Sequence, residues 1–114
     1  MIYLASPYTH KNPDIQVARF DAVCRVTSVL LKLGHVVFSP IAYSHQFSEY
    51  GIPNELDFWL KFDAHFINKS SELWVLTIDG WKESVGVKAE IELAIIRGIP
   101  VKLVDEKGNV SEWS

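Results

Sequence analysis

Two carboxyl side chains fall at positions where the surrounding pattern makes an ionised group costly or chemically useful. Asp63 lies in the middle of Leu56, Trp59, Leu60 and Ile67, whose helical spacing marks an inward-facing stripe. A carboxylate on such a face is unfavourable unless it is hydrogen-bonded or paired. Glu90 closes the stretch Ser84-Val85-Gly86-Val87-Lys88-Ala89-Glu90, between the strand-like run Leu73–Ile78 and an amphipathic helix that stops at Gly98. In a parallel α/β sheet, the loop after a strand and the first turn of the next helix form the ligand crevice. The spacing predicts Glu90 in that first turn. Two carboxyls at one crevice permit glycosyl chemistry: one attacks the anomeric carbon, and the other handles the proton of the leaving base or incoming water. Tyr3, on the first strand, could donate a hydrogen bond to the attacking carboxylate and hold its rotamer. Each residue also has a plainer reading. Asp63 bonds a backbone N–H or a cation, Glu90 is an exposed acid favoured by the helix dipole, and Tyr3 is a core aromatic.

The elements that must position these residues follow from periodicity and caps. Ile2–Ala5 reads as a strand stopped by Ser6-Pro7. Asn12-Pro13-Asp14 is a helix start, with Asn as cap and Pro at the first helical position. Apolar residues from Phe20 to Leu31 recur at helical spacing up to Gly34. His35–Ser39 reads as a second buried strand ended by Pro40, and residues 40–54 as a long loop of the kind that is functional or mobile. Asn54 is the expected cap of a helix over Glu55–Ser70. Leu73–Ile78 is a third strand, Gly86–Arg97 a helix with buried stripe Val87, Ile91, Ala94 and Ile95, and Val101–Val104 a fourth strand. The tail beyond Glu106 reads as a turn and a frayed end. Continuously apolar strands alternating with helices belong in a parallel sheet covered on both faces. With right-handed crossovers, the expected fold class is α/β, a three-layer α/β/α sandwich with a flavodoxin-like parallel sheet of four to five strands.

Strand exits share one polar edge: Ser6-Pro7-Tyr8, then Ser39-Pro40, then Asp79-Gly80-Trp81 and the Ser84/Gly86 loop. Ser84 and the free N–H groups at the helix start would make a modest anion site there. Tyr43-Ser44-His45 either lines a base pocket or is surface, and Trp81 either stacks on a base or packs under its loop. Arg19 and Lys82 read as solvated charges. His10, His45 and His65 show no convincing metal spacing, so no metal and no cofactor are expected.

Length and composition bound these readings. A chain of 114 residues is expected to form one domain over residues 1–114. Its 48% hydrophobic and 22% charged content are those of a globular protein, and a net charge of −3 argues against a nucleic-acid polymer as partner. The single Cys24 permits no intrachain disulfide and reads as a core residue, which fits a reducing, cytoplasmic setting. Met1–Ala5 is too short for a signal core, and no apolar run approaches the ~20 residues that span a bilayer, so no membrane is expected as partner.

Taken in order, Ile2-Tyr3-Leu4-Ala5-Ser6-Pro7-Tyr8, Gly34-His35-Val36-Val37-Phe38-Ser39-Pro40, Gly80-Trp81 with Ser84, Gly86 and Glu90, and Gly98-Ile99-Pro100-Val101 resemble a family of short uncharacterised bacterial proteins. That family is similar to the nucleoside 2-deoxyribosyltransferases and the 2′-deoxynucleoside 5′-monophosphate N-glycosidases. The resemblance implies Glu90, in a Gly-x-x-x-Glu stretch with Gly86, as nucleophile on C1′ of deoxyribose. It implies Asp63 as the group serving the base or water, Tyr3 as the residue touching the nucleophile, and Ser84 as a 5′-phosphate contact. Two features depart from the enzymes: Ser71-Glu72 precedes the third strand, and Pro7 removes a donor N–H from a loop that is Gly-rich in the hydrolases. The expected function is cleavage of the N-glycosidic bond of a nucleoside or nucleotide, a small-molecule partner, with Ser84, Gly86, Ser6, Pro7, Ser39, His45 and Trp81 around the ligand. The alternative is a non-catalytic nucleotide-binding module using the same crevice. A homo-oligomer is expected because the sandwich is small and its helices exposed.

Overall fold

The structure, a computed structural model, describes residues 1 to 113. Its elements in order are β1 (Ile2–Ala5), α1 (Pro13–Lys32), β2 (Val37–Phe38), α2 (Pro40–Ser44), a 3-10 segment (His45–Tyr50), α3 (Leu56–Asn68), β3 (Glu72–Leu76), α4 (Val85–Ile96), β4 (Val101–Val104) and β5 (Val110–Glu112). The strands form one sheet in the order β2-β1-β3-β4-β5. The first four are parallel, and β5 runs antiparallel along the β4 edge. This is the flavodoxin-like order, whose crevice opens at the carboxyl ends of β1 and β3.

Alternation along β1 sorts the core into two layers. Ile2 and Leu4 pack with Val23, Val26 and Leu30 of α1, while Tyr3 and Ala5 face Ile67 of α3 and Val87, Ile91 and Ala94 of α4. Complete burial of side chains such as Leu4, Leu30 and Leu76 stabilises the fold by about 2 kcal/mol each. The same alternation sends the Tyr3 ring, fully buried, toward the helices that carry Asp63 and Glu90.

Local chemistry explains the helix starts. Asn12 accepts from Asp14 N at 2.9 Å, with Pro13 following as expected. Ser39-Pro40 repeats that arrangement: Ser39 Oγ accepts from Ala42 N at 3.1 Å and opens α2. Residues 40–54 are therefore mostly helical, which corrects the expectation of a long loop. Glu55, not Asn54, is the N-cap of α3, and its side chain makes no capping bond. Trp59 Nε1 instead donates to Pro53 O at 2.8 Å and ties down the approach to the helix. β2 is only two residues long, and the expected frayed tail is β5. Ile95 is 52% exposed, because the buried line of α4 runs Val87, Glu90, Ile91, Ala94 and leaves it on the far side.

Candidate functional site

A cavity of about 760 Å³ opens at the carboxyl ends of β1 and β3. The β1–α1 loop, α2 with the 3-10 segment, the middle of α3, and the β3–α4 loop running into α4 all contribute walls. Asp63 and Glu90 both line it, 27 positions apart in sequence but facing one space.

Glu90 is 6% exposed and sits in the second turn of α4, because Ser84 is the N-cap and Val85 the first helical residue. It is not the exposed first-turn acid of the plainer reading. The Tyr3 hydroxyl, reaching from the opposite end of the chain, donates a hydrogen bond to Glu90 Oε2. Burial pushes the Glu90 carboxyl well above the ordinary range and the nearby Asp63 charge adds to it, while the Tyr3 hydrogen bond pulls the other way. Burial likewise raises Asp63 to about 6, with Glu90 and Tyr3 drawing it back. Tyr3 is raised well above its usual value, first by burial and then by the Glu90 charge, so it stays a donor. Two carboxyls that feel each other this way titrate as a pair. Asp63 Oδ1 and Ser6 Oγ, both buried in the cavity wall, have no hydrogen-bond partner. Unpartnered buried polar atoms are uncommon and mark places that a ligand or water completes.

Tyr8, His45 and Trp59 bring aromatic rings to the cavity lining. Tyr8 Oη and His45 Nδ1 lie 2.6 Å apart, and the His45 ring stacks on Phe20 with centroids 3.9 Å apart. His45 is thus held in one orientation beside the cavity. Arg19 ties the two strand-end loops together, donating to Thr9 O at 3.0 Å and to Tyr8 O and Asp79 O at 3.5 Å. Its guanidinium crosses Gly80 so closely that a Cβ there would fall 2.2 Å from Nη2. With φ at +94° as well, that position requires glycine.

Of the residues singled out from sequence, Glu90, Asp63, Ser84, Gly86, Ser6 and His45 line the cavity. Tyr3 lies beneath it and acts on it through Glu90. Three do not line it. Pro7 is fully buried, the Ser39 oxygen caps α2, and Trp81 packs against the core on the α3/α4 face with the Lys82 ammonium 5.6 Å from its ring. Ser84 lines the wall, but its Oγ accepts from Val87 N at 3.2 Å as the α4 cap. Sequence reasoning set Tyr8 and Asp79 on the polar strand-exit edge and Trp59 on the inward stripe of α3 without assigning them to a cavity, and it missed Glu83 and the structural part played by Arg19. Position on the β1 and β3 exits was the available signal for Tyr8 and Asp79. Among the described residues, no three His, Cys, Asp or Glu side chains are grouped to hold a metal ion, and no helix is long and apolar enough to cross a membrane.

Residues 1–106 match a protein family described as "Domain of unknown function (DUF1937)". No curated protein matches the sequence. Among solved structures, the chain is similar to a 2-deoxyribosyltransferase from the psychrotolerant bacterium Bacillus psychrosaccharolyticus, described as a biocatalyst for the synthesis of nucleosides. The two share 28% identity and superpose with a TM-score of 0.66, over 97% of this chain and 76% of that one. The fold is that of the deoxyribosyltransferases.

Proposed function

The chain belongs to the DUF1937 family, and we propose that it breaks the N-glycosidic bond of a deoxynucleoside or deoxynucleotide through Glu90. The observation that carries this is the buried Tyr3–Glu90 hydrogen bond at the floor of a cavity that Asp63 also lines. A carboxyl fixed by a phenol and faced by a second carboxyl suits attack on C1′ with proton transfer to the base. Likeness to a 2-deoxyribosyltransferase, at 28% identity over nearly the whole chain, supports the same chemistry.

Both carboxyls are raised by burial, and near neutral pH the pair holds one proton between them. With substrate bound, Asp63 takes that proton and passes it to the departing base. The C1′–N bond breaks with its electron pair going to the base, and Glu90 forms an ester with C1′. Water or a second base then attacks C1′, Asp63 receives its proton, and the ester bond breaks to restore Glu90. The Tyr3 hydroxyl steadies Glu90 when it is anionic and when it leaves. The free walls of the cavity, His45 with Tyr8 and Trp59, hold the base and sugar.

The test is base release, followed chromatographically, from a panel of deoxynucleosides and their 5′-monophosphates. Wild-type protein releases base from at least one of them, and Glu90→Ala falls to background. Equal release by wild type and Glu90→Ala removes Glu90 from this role. Tight binding by wild type without any release favours a non-catalytic binding module.

A further inference from the structure

Whether the sugar carries a 5′-phosphate is decided by charge, and the cavity is built against one. Resting on the glycosidic reading above, we infer that the site takes an unphosphorylated nucleoside and repels the corresponding monophosphate.

Four acidic residues line the cavity, Asp63 and the buried Glu90 together with the solvent-exposed Asp79 and Glu83, against one guanidinium, Arg19, and the imidazoles of His10 and His45. Arg19 is not free to grip a phosphate. Recognition of that group uses the forked N–H donors of an arginine aimed at its oxygens, and here Nη1 and Nη2 are directed at the carbonyls of Tyr8, Thr9 and Asp79. Its close passage over Gly80 fixes it there.

The start of α4 is the other place for an anion. A helix N-terminus attracts negative charge only within its first turn and with a fraction of one elementary charge. Glu83 stands immediately before the Ser84 cap and Asp79 lies at the exit of β3, both on the same cavity wall. Their two carboxylates outweigh the helix end. The Ser84 oxygen is engaged with Val87 N, and Pro7 takes one donor N–H from the β1–α1 loop. Lys82, the nearest lysine in sequence, lies over the Trp81 ring and not in the cavity wall.

What the cavity does offer is neutral hydrogen bonding. Ser6 is 6% exposed, and its hydroxyl is unpartnered in the cavity wall. A hydroxyl of that kind, which both donates and accepts, matches a sugar hydroxyl.

The experiment compares deoxynucleosides with their 5′-monophosphates, by calorimetric binding to the full-length Glu90→Gln protein and by kcat/KM on wild type. The expected result is a preference for the nucleoside of at least roughly tenfold at low salt, shrinking as ionic strength rises. In the Asp79→Asn/Glu83→Gln double variant the preference contracts severalfold. Equal or tighter use of the monophosphate overturns the inference, as does a preference indifferent to both salt and the double variant. The two proposals fail separately. Preferential base release from monophosphates sinks this one and leaves the glycosidic reading standing, whereas nucleoside-selective binding without any release does the reverse.

Discussion

Tyr3 and Glu90, 87 positions apart, are joined by a hydrogen bond that is buried from solvent at the base of the cavity. The bond favours the anionic form of a carboxyl that burial and Asp63 both push toward the neutral one. Tyr3→Phe removes that support, and hydrogen bonds to charged groups contribute about 1.5–3 kcal/mol. The variant should lose roughly ten- to a hundredfold in base release. The alkaline limb of its pH–rate profile, where the carboxyl pair gives up its last proton, should move to higher pH, since Glu90 then holds that proton more tightly. An unchanged rate with an unchanged profile would show that the phenol only packs.

The carboxyl pair also sets how stability depends on pH. Asp63 rises from 3.8 to about 6 on folding, and Glu90 rises too, so the folded state binds more protons than the unfolded state. That contribution is complete below the unfolded values and is lost as pH climbs through the folded ones. Glu72 acts in the opposite sense. The Trp74 indole N–H, and secondarily Lys102, hold it below its usual value, and the stability it confers disappears in acid. Stability measured by urea unfolding should therefore peak in mildly acidic buffer and fall toward about pH 8. Asp63→Asn should flatten the alkaline side and be the more stable protein there, by roughly 2–3 kcal/mol. A wild-type curve that rises steadily from about pH 5 to about pH 8 would contradict the buried pair.

The sheet and its helices were legible because their signals are local and repeated: continuously apolar strands, Asn12-Pro13, and Gly34 and Gly98 as stops. Ser39-Pro40 carries the same cap-and-proline pair as Asn12-Pro13, yet the polar, aromatic segment after it has too little periodicity to announce α2. β5 was hidden for a different reason. An edge strand of three exposed residues carries no apolar pattern, and only its pairing with Lys102–Val104 defines it. At the site, Asp63 betrayed itself by interrupting an apolar stripe and Glu90 by its place after a strand. Arg19 could not be read that way. Its partners are backbone carbonyls from two distant loops, and no side-chain pattern in the sequence records them.

Arg19 and Gly80 should behave as one unit. Gly80→Ala places a Cβ 2.2 Å from Arg19 Nη2 at a φ of +94°, so the variant suffers both the left-handed backbone penalty and displacement of the guanidinium. The expected loss is about 1–3 kcal/mol. Arg19→Ala alone unties the β1 and β3 exits. In the double variant the alanine methyl no longer meets the guanidinium, so the combined loss should be smaller than the sum, by about 0.5 kcal/mol or more. Strict additivity in a thermal or urea double-mutant cycle would mean that the two do not pack as described.

Ser6 offers a case in which stability and function move in opposite directions. Its hydroxyl is buried in the cavity wall and has no hydrogen-bond partner among the protein's own groups. Leaving a buried polar group unsatisfied costs about 1–3 kcal/mol, and Ser6→Ala relieves that cost at the expense of one oxygen atom. The free variant should accordingly be as stable as wild type or more so. On the proposed glycosidic reading the same oxygen meets the sugar, so Ser6→Ala should raise KM by roughly three- to tenfold. Ser6 belongs to neither the carboxyl pair nor its phenol, so kcat should change less than KM. A variant that is clearly less stable, with KM unaltered, would assign the hydroxyl to the fold and remove it from the ligand.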